Sequence, residues 1–273
     1  MNGLLELLVN HEPSTAGWPL DHGLQYGDGL FETMLVRDGR IRFETLHRAR
    51  LAEGCRRLAI QADLPRVWDE ARQRAAGHGE ALLRLQLTRG IAQARGYAAT
   101  GNEQATVILA VFAAAPAAGV TAPLRLCSLR NRLGENPELA GLKHCNRLEQ
   151  VLARQALAGT GAFEGLMASS SGLLVSGTMS NVFLELDGEL VTPAVDRCGV
   201  AGVMRTAVLQ AAARASMAVR VAELPFDVLA RADAVALSNA RLGLVSADEL
   251  DGRRLSRSSR FAALAAAVAD IED

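Results

Sequence analysis

One lysine occurs in the chain, at position 143, although lysine and arginine together contribute 29 residues. Arginine replaces lysine well on a protein surface, but its guanidinium stays protonated and cannot act as a nucleophile. A buried lysine can lose its proton and form a Schiff base with a carbonyl compound. We therefore interpret Lys143 as a residue that is retained for its primary amine. A surface lysine without a role is the alternative.

A second sequence pattern predicts an anion-binding site. Residues 198–205, Cys-Gly-Val-Ala-Gly-Val-Met-Arg, place glycines directly before a predicted helix that runs to about Ala215. The first N–H groups of a helix have no partner within the helix, and the helix dipole favours negative charge at this end. The pattern predicts a phosphate cradle, and a plain glycine-rich turn is the alternative.

Composition and charge exclude several classes of protein. The chain has 273 residues, of which 49% are hydrophobic and 22% are charged, as is typical of a globular protein. A net charge of −1 gives no bulk attraction to nucleic acid or to an anionic membrane. We also see no apolar run of about 18 residues that would indicate a membrane span. We expect neither nucleic acid nor a membrane among the partners.

The cysteines and the N-terminus indicate a cytoplasmic protein. The four cysteines, at positions 55, 127, 145 and 198, are scattered and form no Cys-x-x-Cys pair. This pattern favours free thiols in a reducing compartment over a disulfide framework or a zinc site, so we expect no metal. The first residues lack a basic region followed by a long apolar segment, so we expect no signal peptide.

Strand and helix patterns alternate along the chain and predict the α/β class. The predicted strands lie at residues 31–36, 81–89, 106–112, 124–129, 182–186 and 235–237, and the predicted helices at 45–58 with Thr45 as N-cap, 69–76 and 146–157. A stretch of small residues around Pro116 indicates a boundary. We predict a smaller N-terminal domain (1–113), a linker (114–120) and a larger C-terminal domain (121–273) that carries Lys143.

Six segments together carry a resemblance to a known family. They are residues 26–33, 47–51, 95–97, 142–150, 176–183 and 199–205. Over nearly its whole length the chain resembles the fold-type IV, class IV aminotransferase-like, pyridoxal phosphate enzymes. The resemblance implies two mixed α/β domains of the D-amino-acid aminotransferase-like architecture, with pyridoxal 5′-phosphate in the cleft between them. It also implies a homodimer.

The resemblance also implies an activity. The lysine segment and the sequence Arg95-Gly96-Tyr97 look most like those of lyases that convert 4-amino-4-deoxychorismate into 4-aminobenzoate and pyruvate for folate synthesis. The first alternative is a transaminase of D-amino acids or branched-chain amino acids, because both activities share one fold. The second alternative is a non-catalytic homologue that only binds pyridoxal phosphate.

The resemblance assigns residues to the cofactor. Lys143 would hold the cofactor and move protons, and Arg50 would bind its phosphate, with Arg48 a solvated neighbour. The backbone N–H groups of Val203 and Met204 would complete the phosphate site. The further cofactor-binding candidates are Ser176 and Asn239, and for Asn239 the bracing of a loop is the alternative.

Other residues are assigned to the substrate. Thr33 lies near the reacting carbon in this family pattern and could pass a proton to the leaving enolpyruvate. Tyr97 is a further catalytic candidate, and Arg95 could bind one of the two substrate carboxylates. Tyr26 and Phe31 are candidates for the substrate pocket, although a core or interface aromatic is an equal alternative for Tyr26.

One position departs from the family pattern. The family usually has a glutamate five residues before Asn181, where it pairs with the pyridine nitrogen, and this chain has Ser176 there. A neutral hydroxyl would leave that nitrogen largely unprotonated and the cofactor a weaker electron sink. This favours the lyase, in which formation of an aromatic ring supplies driving force, over transamination.

Overall fold

The computed structural model describes residues 4–13, 21–91, 97–99, 101–114 and 123–271. Contacts divide the chain into two compact units, Met1–Ala115 with Leu142–Asn146 and Glu272–Asp273, and Pro116–Gly141 with Arg147–Ile271. We expected Lys143 on the C-terminal domain, whereas its segment groups with the first unit because it pairs with a strand there. Residues 115–120 of the predicted linker lie outside the described ranges, and the domain limits stay a prediction.

The first unit contains a six-stranded antiparallel sheet with the order β2-β1-β6-β5-β3-β4. Its strands are β1 (Leu4–Val9), β2 (Glu12–Pro13), β3 (Gly29–Arg37), β4 (Arg40–Ile41), β5 (Glu80–Thr88) and β6 (Thr106–Ala113). Along β3 and β5 the buried and less buried side chains alternate, because successive side chains point to opposite faces of a strand. The apolar face of this sheet supplies the core of the unit.

Three helices accompany this sheet: α1 (His22–Tyr26), α2 (Glu44–Leu58) and α3 (Leu64–Ala76). The prediction that Thr45 is the N-cap of α2 is wrong, because the helix begins at Glu44 after Phe43 in a left-handed conformation. Helix α3 begins five residues before the predicted start, where the Asp63 side chain accepts from Arg66 N at 3.1 Å. An N-cap carboxylate and a proline in the first turn outweigh the weaker apolar periodicity there.

The second unit contains two five-stranded sheets with the orders β12-β11-β10-β13-β14 and β16-β15-β7-β8-β9. Its strands are β7 (Arg125–Leu133), β8 (Glu164–Ser169), β9 (Leu174–Gly177), β10 (Asn181–Leu186), β11 (Glu189–Pro193), β12 (Val219–Ala222), β13 (Ala234–Asn239), β14 (Gly243–Ser246), β15 (Glu249–Leu250) and β16 (Arg253–Arg254). Its helices are α4 (Leu148–Leu157), α5 (Val203–Arg214) and α6 (Ser259–Ala269), with a 3-10 helix at Phe226–Arg231.

Apolar side chains from strands of both sheets form the main core of the second unit, and they include Leu126, Leu166, Val182, Leu184 and Leu237. Strands β8, β9 and β10 are buried along almost their whole length, as expected for strands covered on both faces. No described helix combines the length and apolar character needed to cross a membrane. The described elements thus have the predicted α/β class.

Candidate active site

Backbone hydrogen bonds hold the segment that carries Lys143. Phe31 N donates to Lys143 O at 3.0 Å, and Cys145 N donates to Gly29 O at 2.8 Å. Leu30 and His144 form an antiparallel bridge between these two bonds. The lysine therefore lies on a short extension of the sheet along β3, and its backbone cannot move without breaking these bonds.

A glycine turn lets this segment approach α1. Asn146 Nδ2 donates to Gly27 O at 3.1 Å, and Gly27 has a φ of 67°. A Cβ at Gly27 would lie 2.4 Å from Asn146 Oδ1, so a side chain there would displace the asparagine. The Tyr-Gly-Asp-Gly sequence thus ends α1 and leaves room for the lysine segment.

The Lys143 amine lies on the face of β3 that carries Phe31 and Thr33. Lys143 Nζ lies 4.3 Å from the centroid of the Phe31 ring, and Arg84 Cζ lies 4.8 Å from the same centroid. Thr33 pairs in register with Arg84 and alternates with buried residues, so it shares this less buried face. The Lys143 amine thus lies against the Phe31 ring, and Thr33 lies two residues further along the same face of β3.

The two tyrosines contact each other within the first unit. The rings of Tyr26 and Tyr97 are 4.9 Å apart at their centroids with an angle of 62° between their planes. Tyr97 is 85% exposed, which leaves its hydroxyl open to a substrate or to solvent. Arg95 lies outside the described residues. The roles of all three side chains stay predictions.

Arg50 binds a buried carboxylate on the opposite face of β3. Arg50 Nε donates to Glu32 Oε1 at 2.8 Å, and its Nη2 donates to Glu32 Oε2. His47 Nδ1 lies 2.6 Å from the same Oε2 atom. Arg50 and His47 lie one turn apart on α2, which approaches β3 so closely that a Cβ at Gly54 would be 2.6 Å from Leu30 Cδ1.

These partners decide the ionisation of Glu32. Burial by itself would raise the pKa of Glu32, but the Arg50 charge and the hydrogen bonds from His47 and Arg50 lower that pKa to about 2. Glu32 is therefore ionised at neutral pH and holds the Arg50 guanidinium in a two-bond fork. Arg48, the predicted solvated neighbour, has a 45% exposed side chain that pairs with Glu44.

Ser176 and the turn that follows it lie in the second unit. Ser176 is buried at the end of β9, and its hydroxyl donates to Gly177 O at 2.9 Å. The residues after it, 177–180, turn around the carboxylate of Glu164, which is fully buried. The hydroxyl at the position of the usual family glutamate thus has a backbone acceptor.

The glycine pattern of residues 198–205 leads into α5 as predicted. Helix α5 begins at Val203, and its N-cap residue Gly202 gives no side-chain hydrogen bond to the first turn. A Cβ at Gly202 would lie 2.1 Å from Asn181 Oδ1, and Asn181 Nδ2 donates to Val200 O at 2.8 Å. The glycine is required by contact with Asn181, which holds the turn before the helix.

Asn239 makes the contacts of a loop brace. Its Oδ1 accepts from Arg241 N at 3.0 Å and from Leu242 N at 2.8 Å, and its Nδ2 donates to Met179 O at 3.4 Å. Val203 and Met204 are buried in the first turn of α5. The roles of these three residues toward a cofactor stay predictions.

Three buried ionisable residues were not predicted from the sequence, namely Glu32, Glu164 and His47. A signal for Glu32 was available, because it occupies a core position between Leu30 and Met34 in an alternating strand. A charge at such a position requires a buried partner. Glu164 opens a wholly buried strand, but nothing in its neighbourhood in the sequence indicates which donors surround it.

Comparisons with known proteins agree with this architecture. The family model described as amino-transferase class IV matches residues 29–250. The crystal structure of 4-amino-4-deoxychorismate lyase from Pseudomonas aeruginosa is 40% identical, with a TM-score of 0.90 over 97% of this chain and 98% of that chain. An aminodeoxychorismate lyase of Vibrio harveyi is 33% identical over 86% of this chain and 88% of its own length.

A relative from Mycobacterium tuberculosis has a name that covers two activities. This bifunctional aminodeoxychorismate lyase / D-amino acid transaminase is 30% identical over 85% of this chain and 84% of its own length. The family model covers most of the chain, and the relatives match it nearly from end to end. The predicted family and its mixed α/β fold are confirmed: the chain belongs to the amino-transferase class IV family.

Proposed function

We propose that the chain is an aminodeoxychorismate lyase that removes pyruvate from 4-amino-4-deoxychorismate and releases 4-aminobenzoate for folate synthesis. The observation that carries this proposal is the 40% identity to the Pseudomonas aeruginosa lyase across 97% of the chain. The local geometry agrees, because the one lysine of the chain is held by backbone pairing against β3.

The residues present fit pyridoxal 5′-phosphate, the cofactor of this family. The cofactor needs an amine for its aldehyde and donors for its phosphate. Lys143 supplies the amine, and the start of α5 supplies N–H groups at a helix end without a side-chain cap. Arg50 supplies a guanidinium whose orientation is set by Glu32.

The chain's own groups account for the proton movements of the reaction. When bound, the cofactor would supply an electron sink for the amino-bearing carbon of the substrate. Lys143 Nζ takes the proton from that carbon, and the Thr33 hydroxyl gives a proton to the leaving enolpyruvate. Arg95 would bind a substrate carboxylate, and Tyr97 would line the substrate pocket. Formation of the aromatic product supplies the driving force, so a neutral residue at Ser176 suffices.

The purified protein tests this proposal directly. We expect a visible absorbance band from bound cofactor and release of 4-aminobenzoate when aminodeoxychorismate is added. Lys143→Arg retains the positive charge but loses the nucleophilic amine, so we expect turnover to fall by about a thousandfold or more. Arg48→Lys, an exposed change on α2, serves as the control and should leave turnover unchanged. Full turnover by Lys143→Arg would show that the reaction does not need the amine, whereas a wild-type protein that binds the cofactor but releases no 4-aminobenzoate would favour the non-catalytic homologue.

A D-amino-acid transaminase is the second candidate, and the bifunctional Mycobacterium tuberculosis relative favours it. Incubation with D-alanine or a branched-chain amino acid and 2-oxoglutarate, followed by keto-acid detection, separates the two activities. Ser176→Glu restores the carboxylate that is usual in the family. We expect this variant to gain transaminase side activity, and no gain would contradict the argument from the pyridine nitrogen.

We further propose that the protein is a cytoplasmic homodimer. Helix α4 supports the dimer, because Leu148, Val151 and Leu152 are exposed and lie at helical spacing on one stripe. Sedimentation of the protein and of Leu148→Glu tests it, and a monomeric wild-type protein would contradict it. The four free cysteines support a reducing compartment, which cell fractionation can test.

A further inference from the structure

Residues 177–180 form a turn around the carboxylate of Glu164, and we call this segment the Glu164 turn. Glu164 Oε1 accepts from the backbone N–H of Gly165 at 3.0 Å and of Thr178 at 3.1 Å, and from the Thr178 hydroxyl. Glu164 Oε2 accepts from Met179 N at 3.2 Å and from Ser180 Oγ at 3.0 Å. Three consecutive residues of the turn thus donate to one side chain.

The packing of the turn depends on this carboxylate. Gly177 N donates to Ser180 O at 2.8 Å and closes the turn. A Cβ at Gly177 would lie 2.3 Å from Ser180 Oγ and 2.9 Å from Glu164 Cδ, so a glycine is needed because the carboxylate fills the space beneath it. Without Glu164, the N–H and O–H groups that point inward would have no acceptor.

The two ends of the Glu164 turn lead to groups of the candidate active site. Ser176 precedes the turn, and its hydroxyl donates to Gly177 O. Asn181 follows the turn and holds the residues before α5 through its bond to Val200 O and its contact with Gly202. A shift of the turn would therefore move both the Ser176 hydroxyl and the start of α5.

We propose that Glu164 is a positioning residue for the cofactor. Its carboxylate shapes the Glu164 turn and thereby sets the positions of Ser176, assigned to the pyridine nitrogen, and of the α5 N-terminus, assigned to the phosphate. The inference rests on the proposed function for these two assignments. Glu164 is fully buried and acts through the turn.

The donor set explains why the residue must be a carboxylate. All five groups around it are donors, and a carboxylate only accepts. Glu164→Gln keeps the size of the side chain but replaces one oxygen by an NH₂ group, which would face N–H or O–H donors. We expect the turn to rearrange locally and the affinity for pyridoxal 5′-phosphate to fall by about tenfold or more.

The test measures cofactor binding to the cofactor-free protein by equilibrium dialysis, independently of activity. Glu164→Gln should bind pyridoxal 5′-phosphate about tenfold more weakly than the wild type, and Ser180→Ala, which removes one donor, about threefold more weakly. Val228→Ala, a truncation in the hydrophobic core of the second unit, is the control for general loss of stability. We expect it to lower the thermal midpoint while retaining wild-type affinity.

The outcomes separate the two proposals. Wild-type affinity in both Glu164→Gln and Ser180→Ala would overturn the role of Glu164. Equal weakening by Val228→Ala at the same loss of stability would overturn it as well, because binding would then follow stability alone. Should Glu164→Gln not fold, Ser180→Ala decides the question. A wild-type protein that binds no pyridoxal 5′-phosphate would contradict the proposed function itself.

Discussion

Glu32 and Glu164 are both buried carboxylates on strands, but their partners differ in kind. The side chain of Glu32 is 1% exposed and binds two basic side chains, Arg50 and His47. Glu164 is 0% exposed and binds backbone N–H groups and hydroxyls, with Arg154 at 3.8 Å and 48% exposed. One carboxylate is neutralised by charge, whereas the other is solvated by dipoles.

This difference indicates what each carboxylate holds in place. The charged partners of Glu32 are long side chains of α2, so the carboxylate orients a guanidinium that can bind an anion. Four of the five neutral donors of Glu164 belong to one turn, so that carboxylate shapes the backbone of the turn. Removal of a charged partner leaves an uncompensated charge, which costs more than removal of one hydrogen bond to a charged group.

The largest effect is expected for Arg50→Leu, which leaves the buried Glu32 carboxylate with His47 as its basic partner. The variant should lose about 3–5 kcal/mol of unfolding free energy, because a buried ion pair is broken on one side. Urea unfolding of the cofactor-free protein measures this loss. Arg48→Leu on the same helix is the matched control and should change stability by less than about 0.5 kcal/mol. Equal losses of unfolding free energy in Arg50→Leu and Arg48→Leu would show that the buried ion pair with Glu32 contributes no more than an exposed one.

A smaller effect is expected in acid. The pKa of Glu32 is lowered from 4.5 to about 2, so its ionised form stabilises the fold fully above about pH 4.5. That contribution, about 3 kcal/mol at 1.36 kcal/mol per pH unit, should disappear as the pH falls from about 4.5 towards 2. Urea midpoints measured across this range should fall more steeply for the wild type than for Glu32→Gln. If the urea midpoints of the two proteins fell in parallel with pH, the lowered pKa of Glu32 would contribute nothing to stability in this range.

Removal of one uncharged donor from Glu164 should lower the unfolding free energy by less than removal of Arg50 from Glu32. Thr178→Val removes the hydroxyl donor to Glu164 but retains the backbone donor of the same residue. We expect a loss of about 2 kcal/mol in unfolding free energy, in the range of a hydrogen bond to a charged group. Denaturant unfolding checks the value, and a loss as large as that of Arg50→Leu would show that the Glu164 turn has no redundancy among its donors.

The smallest effect is expected for Arg154→Ala. Its guanidinium lies 3.8 Å from Glu164 Oε1 and its side chain is 48% exposed, so water screens the attraction. The change should cost less than about 0.5 kcal/mol in the same unfolding experiment. A loss of several kcal/mol would show that Glu164, like Glu32, depends on a charged partner. The neutral donors around Glu164 would then be insufficient to stabilise its charge.

The family, an alternating strand and the lysine that carries the proposed chemistry could be predicted from residue types and their order alone. A period-2 pattern predicted β5, because one face of this strand is buried. The glycines before Val203 predicted the start of a helix, and α5 begins there. Lys143 was recognisable because it has no second copy elsewhere in the chain. These features are local in the sequence or a matter of residue type.

The groups that neutralise or solvate the buried charges could not be predicted without the fold. Glu32 and Arg50 are 18 residues apart, and Glu164 and Ser180 are 16 residues apart, so no helix or strand spacing predicts either pair. The pairing of Lys143 with Phe31 joins segments from opposite sides of the predicted domain boundary. Such contacts arise because burial of a strand or a turn forces each polar group to find a donor or an acceptor wherever the fold supplies one.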